Sequence, residues 1–166
     1  IKLSTLTKEQ VLIADKAKFL LPNGCQRILL VEPPNVPEED WKPDVAANNR
    51  YPVYEPYGLG VLSSCLELRG YETDILDLNF MLQDNFKSNP ESFKYRMWED
   101  WLKSKLDEFQ PEVVGITCLF TIYHRSMIRV AKYVKEYRPN ILVIAGGVHT
   151  TMASTDIKSA PGQLVL

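Results

Sequence analysis

The chain has 166 residues, 45% hydrophobic and 24% charged, with a formal net charge of −2, the make-up of an ordinary globular domain with its own core. With no basic excess and no run of Lys or Arg, it offers no surface for phosphate backbones, so nucleic acid is not an expected partner. No apolar run reaches the roughly 18 to 20 residues of a membrane-crossing helix, and Cys25, Cys65 and Cys118 form neither a C-x-x-C pair nor an even set, which fits a reducing, cytoplasmic setting without membrane contact.

In chain order, residues 7–20 read as a short amphipathic helix, with Thr7 and Gln10 as a capping box and Pro22–Asn23–Gly24 as its stop. Residues 1–24 are therefore expected as an N-terminal helical extension to a domain over 25–166. "RILLVE" (27–32) is an aliphatic strand bounded by Gly24 and Pro33–Pro34. The six prolines between 33 and 56 predict a long irregular loop, of the kind that is often functional.

Residues 57–70 follow as a helix with Leu59, Leu62, Cys65 and Leu66 on one face and Gly70 as its stop. A second strand is expected over 72–78, with Asp77 placed to cap what comes next, then an irregular stretch over 79–90. Residues 90–109 read as a long helix with Phe93, Met97, Trp98, Trp101 and Leu102 at helical spacing. Residues 112–119 are a third strand. Residues 121–138 are a helix that should bury Ile122, Met127, Val130, Ala131 and Val134. Residues 140–146 form a fourth strand, and "QLVL" at 163–166 begins a fifth.

Aliphatic strands alternating with helices predict an α/β fold with a parallel sheet covered on both faces. In such sheets ligands lie beyond the carboxyl ends of the strands. Three segments should meet there: "VYEPYGLG" before the first long helix, "TCLFT" after the third strand and "GGVHTT" after the fourth. Gly146 and Gly147 admit two readings: a tight turn with Thr150 or Thr151 capping a later helix, or a place where a flat ligand approaches backbone closely. His149 and Thr150 would then face that ligand from a loop. His124, by contrast, is expected as a half-exposed helix residue. The first strand is followed by neither G-x-G-x-x-G nor a Ser/Thr-rich phosphate loop, and there is no Walker A motif, so dinucleotides, FMN and nucleoside triphosphates are disfavoured.

Residues 55–151, from "EPYGLGVLSSCLELRGYETDILDLN" to "PEVVGITCLFTIYHRSMIRVAKYVKEYRPNILVIAGGVHTT", resemble the cobalamin (B12)-binding domain at the N-terminus of B12-dependent radical S-adenosylmethionine enzymes. The resemblance implies a flavodoxin-like (Rossmann-like) doubly wound parallel sheet of order 2-1-3-4-5, a three-layer sandwich. That family carries D-x-H-x-x-G, S-x-L and G-G motifs. Thr117–Cys118–Leu119 stands at S-x-L, and Gly146–Gly147 stands at G-G after the 26 residues 120–145. Gly58 takes the last glycine of D-x-H-x-x-G, which leaves Val53 at the aspartate and Glu55 at the histidine.

The resemblance thus implies cobalamin held without a histidine on cobalt, because a carboxylate is a poor donor for soft reduced cobalt. The contacts it implies are Glu55, Tyr57, Gly58, Thr117, Leu119, Thr121, Gly146, Gly147, His149 and Thr150, with no metal ligand among them. Gly146 and Gly147 should abut the corrin edge or nucleotide tail.

The chain has no C-x-x-x-C-x-x-C, so the 4Fe-4S cluster and S-adenosylmethionine are expected in a downstream domain of the same chain, and the part described here is not expected to be catalytic alone. The implied parent reaction is methyl transfer, cyclisation or rearrangement at an unactivated carbon of a small-molecule substrate. The alternative is a structural or interaction domain of the same fold that has lost B12.

Overall fold

The computed structural model describes residues 15–16, 18–152 and 164–165. Most of the helix expected over 7–20 lies outside them, although residues 15–16 and 18–20 are helical. Four strands form the sheet: β1 (Arg27–Glu32), β2 (Glu72–Asp77), β3 (Val113–Thr117) and β4 (Leu142–Gly146). All pair in parallel, in the order β2-β1-β3-β4. The place expected for a fifth full strand holds only the two-residue β5 (Leu164–Val165), beside Val143 and Ile144 of β4. Among the described residues the sheet is thus four strands of five or six residues with the two-residue β5 at its edge, all parallel, in the order β2-β1-β3-β4-β5.

Helices cover both faces because β1, β3 and β4 are apolar on both, whereas the edge strand β2 (ETDILD) mixes polar and apolar residues. Leu29, Val31, Val114, Ile116 and Val143 point to one face and are essentially sealed. That face is packed by α3 (Leu78–Ser88), α4 (Met97–Phe109) and α5 (His124–Tyr137) through Leu78, Leu82, Trp98, Leu102, Leu106, Met127, Val130 and Val134. The other face carries Ile28, Leu30, Val113 and Leu142, and α2 (Tyr57–Glu67) meets it with Leu59 and Leu66. It is the thinner layer, and the site lies on it.

Several expectations need correction. Residues 79–90 are not irregular, since α3 begins directly after β2. Asp77 caps it by accepting the Phe80 amide at 2.8 Å, and Leu78, Leu82 and Phe86, four apart, face the core. The long helix expected over 90–109 begins only at Met97. The proline-rich loop is not wholly irregular either. It holds a 3-10 turn (Glu38–Asp40) and a short helix α1 (Pro43–Ala47), with Pro37 and Pro43 at helix starts, where a missing N–H costs nothing.

That loop is pinned in place. Trp41 lies against the rings of Tyr51, Phe86, Phe93 and Tyr95 at 4.9–5.9 Å between centroids. Arg129 pairs with Glu39 at 2.8 Å, and Arg125 with Glu39 at 3.5 Å. Buried Asn79 accepts the Asn35 amide at 3.1 Å, and both Asn79 and Gln83 donate to the Pro52 carbonyl. These ties fix both ends of the loop and deliver Tyr54 to Tyr57 to the carboxyl edge of the sheet.

Candidate functional site

A cleft of about 450 Å³ opens on the thin face at the carboxyl ends of β1, β3 and β4. Its floor is one row of the sheet, Leu30, Gly115 and Ile144, which are neighbours in register. A Cβ on Gly115 would sit 3.0 Å from Leu30 Cδ2, so glycine there keeps the floor low. Gly58, Leu59 and Leu62 of α2 form one wall with Tyr54 to Tyr57; Leu119, Phe120 and Tyr123 form the other. Thr117 and Gly146, paired across β3 and β4, make the rim.

Seven of the ten residues predicted from sequence meet here: Glu55, Tyr57, Gly58, Thr117, Leu119, Gly146 and Gly147. The two glycines play different parts. Nothing lies within 4 Å of a Cβ built on Gly146. Gly147 has φ +111°, and its Cβ would fall 2.6 Å from the Cys118 carbonyl oxygen. Gly147 is thus required by the protein's own backbone, not only by an approaching ligand. Cys118 N–H donates to the Gly146 carbonyl at 2.7 Å and His149 N–H to the Cys118 carbonyl at 3.2 Å, locking the two loops together.

The other three lie around the corner. Val148 to Thr151 do not form a loop before a helix; α6 (Val148–Met152) starts immediately after Gly147. Thr150 and Thr151 are not N-caps but turn their hydroxyls back to the Gly147 carbonyl, at 2.8 and 3.1 Å. His149 is buried: Thr121 Oγ1 lies 3.2 Å from its Nδ1, and His124 Nδ1 lies 2.9 Å from its Nε2. With Pro37, Asp40 and Arg125 these residues line a second groove. His124 is half-buried, as expected. Ile122, expected in the core, is 70% exposed because residues 121–123 form a 3-10 turn, which shifts it out of phase with α5.

Sequence reasoning missed two polar residues of the cleft. Glu32 ends β1 on the cleft side, in register with Asp77 of β2. Burial, with Asp77 adding like charge, pushes its carboxyl up to about 7. Burial also raises Asp77, against the hydrogen bonds from the Phe80 and Asn79 amides. Asn35 is 5% exposed, and its Oδ1 has no hydrogen-bond partner among the described residues. The signals were a charge closing an apolar strand, and period-two alternation placing Glu32 on the face of Leu30. Burial also raises the Cys118 thiol to about 11, so it is no nucleophile at neutral pH. Among the described residues no group of three or more His, Cys, Asp or Glu is placed to hold a metal ion, and no helix is long and apolar enough to cross a membrane.

A family model described as the B12 binding domain matches residues 43–165. The chain is 28% identical over 99 residues to cytidylyl-2-hydroxyethylphosphonate methyltransferase of Streptomyces wedmorensis, covering 57% of this chain and 18% of that protein. It is 29% identical over 109 residues to tryptophan 2-C-methyltransferase of Streptomyces laurentii, covering 61% of this chain and 16% of the relative. It is 27% identical over 109 residues to the anaerobic magnesium-protoporphyrin IX monomethyl ester cyclase of Rubrivivax gelatinosus, covering 65% and 17%. The chain thus spans less than a fifth of each of these relatives. Among solved structures, a cobalamin-binding protein from Desulfitobacterium hafniense aligns with TM-score 0.49 and 16% identity, over 85% of this chain and 52% of that one.

Proposed function

The chain belongs to the B12-binding domain family, and from that membership and the shape of the cleft we propose that it is the cobalamin-holding module of a larger radical S-adenosylmethionine enzyme. The observation that carries the reading is the cleft itself. It has the size of a small-molecule site, an apolar floor lowered by Gly115, a rim left open at Gly146, and a position at the carboxyl edge of a parallel sheet. The residues fit the group: open space above Gly146 suits a flat macrocycle, and the groove between Leu30, Gly115 and α2 suits the nucleotide tail. Glu55, Tyr57, Gly58, Thr117 and Leu119 would line the approach. Thr121, His149 and Thr150 would act from behind, holding the two rim loops together.

Bound there, cobalamin supplies a cobalt centre able to carry a one-carbon unit. This chain's part is to bind, orient and shield it. Glu55 stands at the rim, while both histidines engage each other in the neighbouring groove. On this reading cobalamin would be held by the lining of the cleft without an imidazole among its contacts. The parent reaction would be methyl transfer or ring closure at an unactivated carbon, in line with the names of the relatives. Its 4Fe-4S cluster and S-adenosylmethionine would sit in a downstream domain of the same chain, which would supply the other wall of the site.

Titration of the chain with hydroxocobalamin, followed by visible spectroscopy, tests this. The expected result is a saturable spectral change and, after reduction to the cobalt(II) state, a paramagnetic resonance spectrum free of protein nitrogen splitting. Splitting that changes when the protein is labelled with 15N, and so comes from a protein nitrogen rather than from cobalamin's own benzimidazole, would refute the histidine-free reading. No spectral change across the titration would favour a domain that keeps the fold without the cofactor.

A further inference from the structure

The cleft is almost wholly apolar, yet two polar side chains that line it at the carboxyl end of β1 have no hydrogen-bond partner among the described residues. Asn35 Oδ1 is buried without a hydrogen bond, in a side chain only 5% exposed, although the Asn35 backbone N–H is satisfied by Asn79. Glu32, three residues earlier, lines the same cleft and makes no hydrogen bond among the described residues. A buried acceptor left bare costs about 1–3 kcal/mol, so such a group in a cleft marks a place where a ligand atom completes the set.

The chemistry of the two groups is complementary. Asn35 Oδ1 is a pure acceptor. Burial and Asp77 keep Glu32 the neutral acid below about pH 7, and as an acid it is an O–H donor. One acceptor and one donor in the lining of an apolar cleft match a primary carboxamide, which offers N–H and C=O together. The periphery of a corrin is rich in such groups.

We propose that Glu32 and Asn35 form an amide-reading pair, Asn35 Oδ1 accepting an N–H and the Glu32 carboxyl donating its O–H to the carbonyl of corrin carboxamides. This rests on the reading of the cleft as a cobalamin site. The pair confers selectivity: a carboxylate in place of the amide would bring charge to Asn35 Oδ1 with no donor to meet it.

It also makes binding sensitive to pH, because an ionised Glu32 has no proton to give. The ionisable groups facing Glu32 are Asp77 on β2, Cys118 after β3, Tyr123 in the 3-10 turn, and Tyr54 and Glu55 across the cleft. Cys118 and Tyr123 are both pushed upward and stay neutral near pH 7. Asp77 and Glu55 are the carboxyl neighbours able to imitate the effect, and a Glu32 variant separates them from Glu32.

The experiment measures cyanocobalamin affinity by equilibrium dialysis at pH 6 and pH 8, since this ligand's cyanide does not exchange in that range. With the carboxyl at about 7, the unaltered protein should bind about ten-fold more weakly at pH 8 than at pH 6. Glu32→Gln keeps a donor without a titrating proton, so it should lose that dependence while holding its pH 6 affinity. Asn35→Ala retains the backbone N–H to Asn79 and should bind about five-fold more weakly at both pH values. Thermal melts of each variant confirm folding, and Glu32→Gln carries the test if Asn35→Ala does not fold.

A pH slope that persists in Glu32→Gln assigns the proton to another group and overturns the proposal. So does binding by the unaltered protein that is flat with pH, or undiminished affinity in a folded Asn35→Ala. Absence of cyanocobalamin binding by the unaltered protein at both pH values is a different failure. It brings down the cobalamin reading of the cleft, and the amide pair with it.

Discussion

Two grooves meet at the carboxyl edge of the sheet, divided by the linked loops after β3 and β4, and they treat their polar groups in opposite ways. In the groove of His124 and His149 the polar atoms answer one another: imidazole to imidazole at 2.9 Å, Thr121 hydroxyl to imidazole at 3.2 Å, and the Glu39–Arg125 pair nearby. In the cleft, Asn35 Oδ1 is buried without a hydrogen-bond partner among the described residues, and the partly buried Glu32 faces the like charge of Asp77. A polar network that closes on itself holds a protein together, whereas one left open holds something else.

The sharpest way to break this comparison is at the double glycine, where the two grooves share a boundary. Gly147→Val places a β-branched side chain at φ +111° with its Cβ 2.6 Å from the Cys118 carbonyl oxygen. The fold should lose about 3 kcal/mol or more, read as a lower denaturant midpoint. Loss of cofactor binding in this variant would then say nothing about the ligand. Gly146→Val, with open space at its Cβ, should melt nearly as the unaltered protein does and still lose cobalamin. Equal stability of the two variants would contradict the separate roles.

His149→Ala tests the closed groove. It removes the contacts to Thr121 and His124 but keeps the backbone bond from residue 149 to Cys118. Stability should fall by about 1–2 kcal/mol in urea denaturation. Cobalamin affinity should change little, because the imidazole does not line the cleft. A large affinity loss at unchanged stability would move His149 from support to ligand contact.

The open groove has its own signature in stability. Glu32 titrates higher in the folded protein than in the unfolded chain, from an ordinary 4.5 to about 7. The folded state therefore binds the proton more tightly. Its contribution is fully present below pH 4.5 and fades as pH rises through about 7, and the raised Asp77 acts in the same direction. After allowance for solvent at this partly exposed site, Glu32→Gln should stabilise the protein by on the order of 1 kcal/mol at pH 8. At pH 5 it should do almost nothing. Equal effects at both pH values would mean that the carboxyl does not carry a raised pKa.

Much of this was legible from residue order. Aliphatic runs flanked by Gly and Pro placed the four full strands, and their lack of polar alternation predicted a sheet covered on both faces. The motifs placed Thr117, Gly58 and Gly146 together because they sit at strand ends or a helix start, where topology alone decides proximity. The helix over 78–88 was missed although Leu78, Leu82 and Phe86 carry its period, because Asn79, Gln83, Asp84 and Asn85 read as loop. Asn79 and Gln83 are in fact buried, tying down the proline-rich loop. The His124–His149 contact spans 25 residues and depends on how two loops lie against each other, which no local pattern encodes. Glu32 could have been placed on the face of Leu30 by period-two alternation along "RILLVE", whereas Asn35 lies beyond the strand in "PPN", where no alternation says which way a side chain turns.

The smallest expected effect is the most informative about the cofactor. Glu55 occupies the position where the resemblance expects a histidine on cobalt, so it is the natural suspect for a replacement ligand. The structure argues against that role. Glu55 is exposed at the rim, and its backbone carbonyl rather than its side chain is engaged, accepting the Tyr57 amide at 2.7 Å. An exposed carboxylate keeps its water shell, and a hard oxygen donor gains little from soft reduced cobalt. Glu55→Ala should therefore change cyanocobalamin affinity by no more than about two-fold, the scale of an exposed polar contact, and leave the spectrum of the bound cobalt(II) state unaltered. A shifted spectrum in this variant would make Glu55 a metal ligand. The comparison would then need redrawing, with the rim rather than the carboxyl end of β1 as the polar half of the cleft.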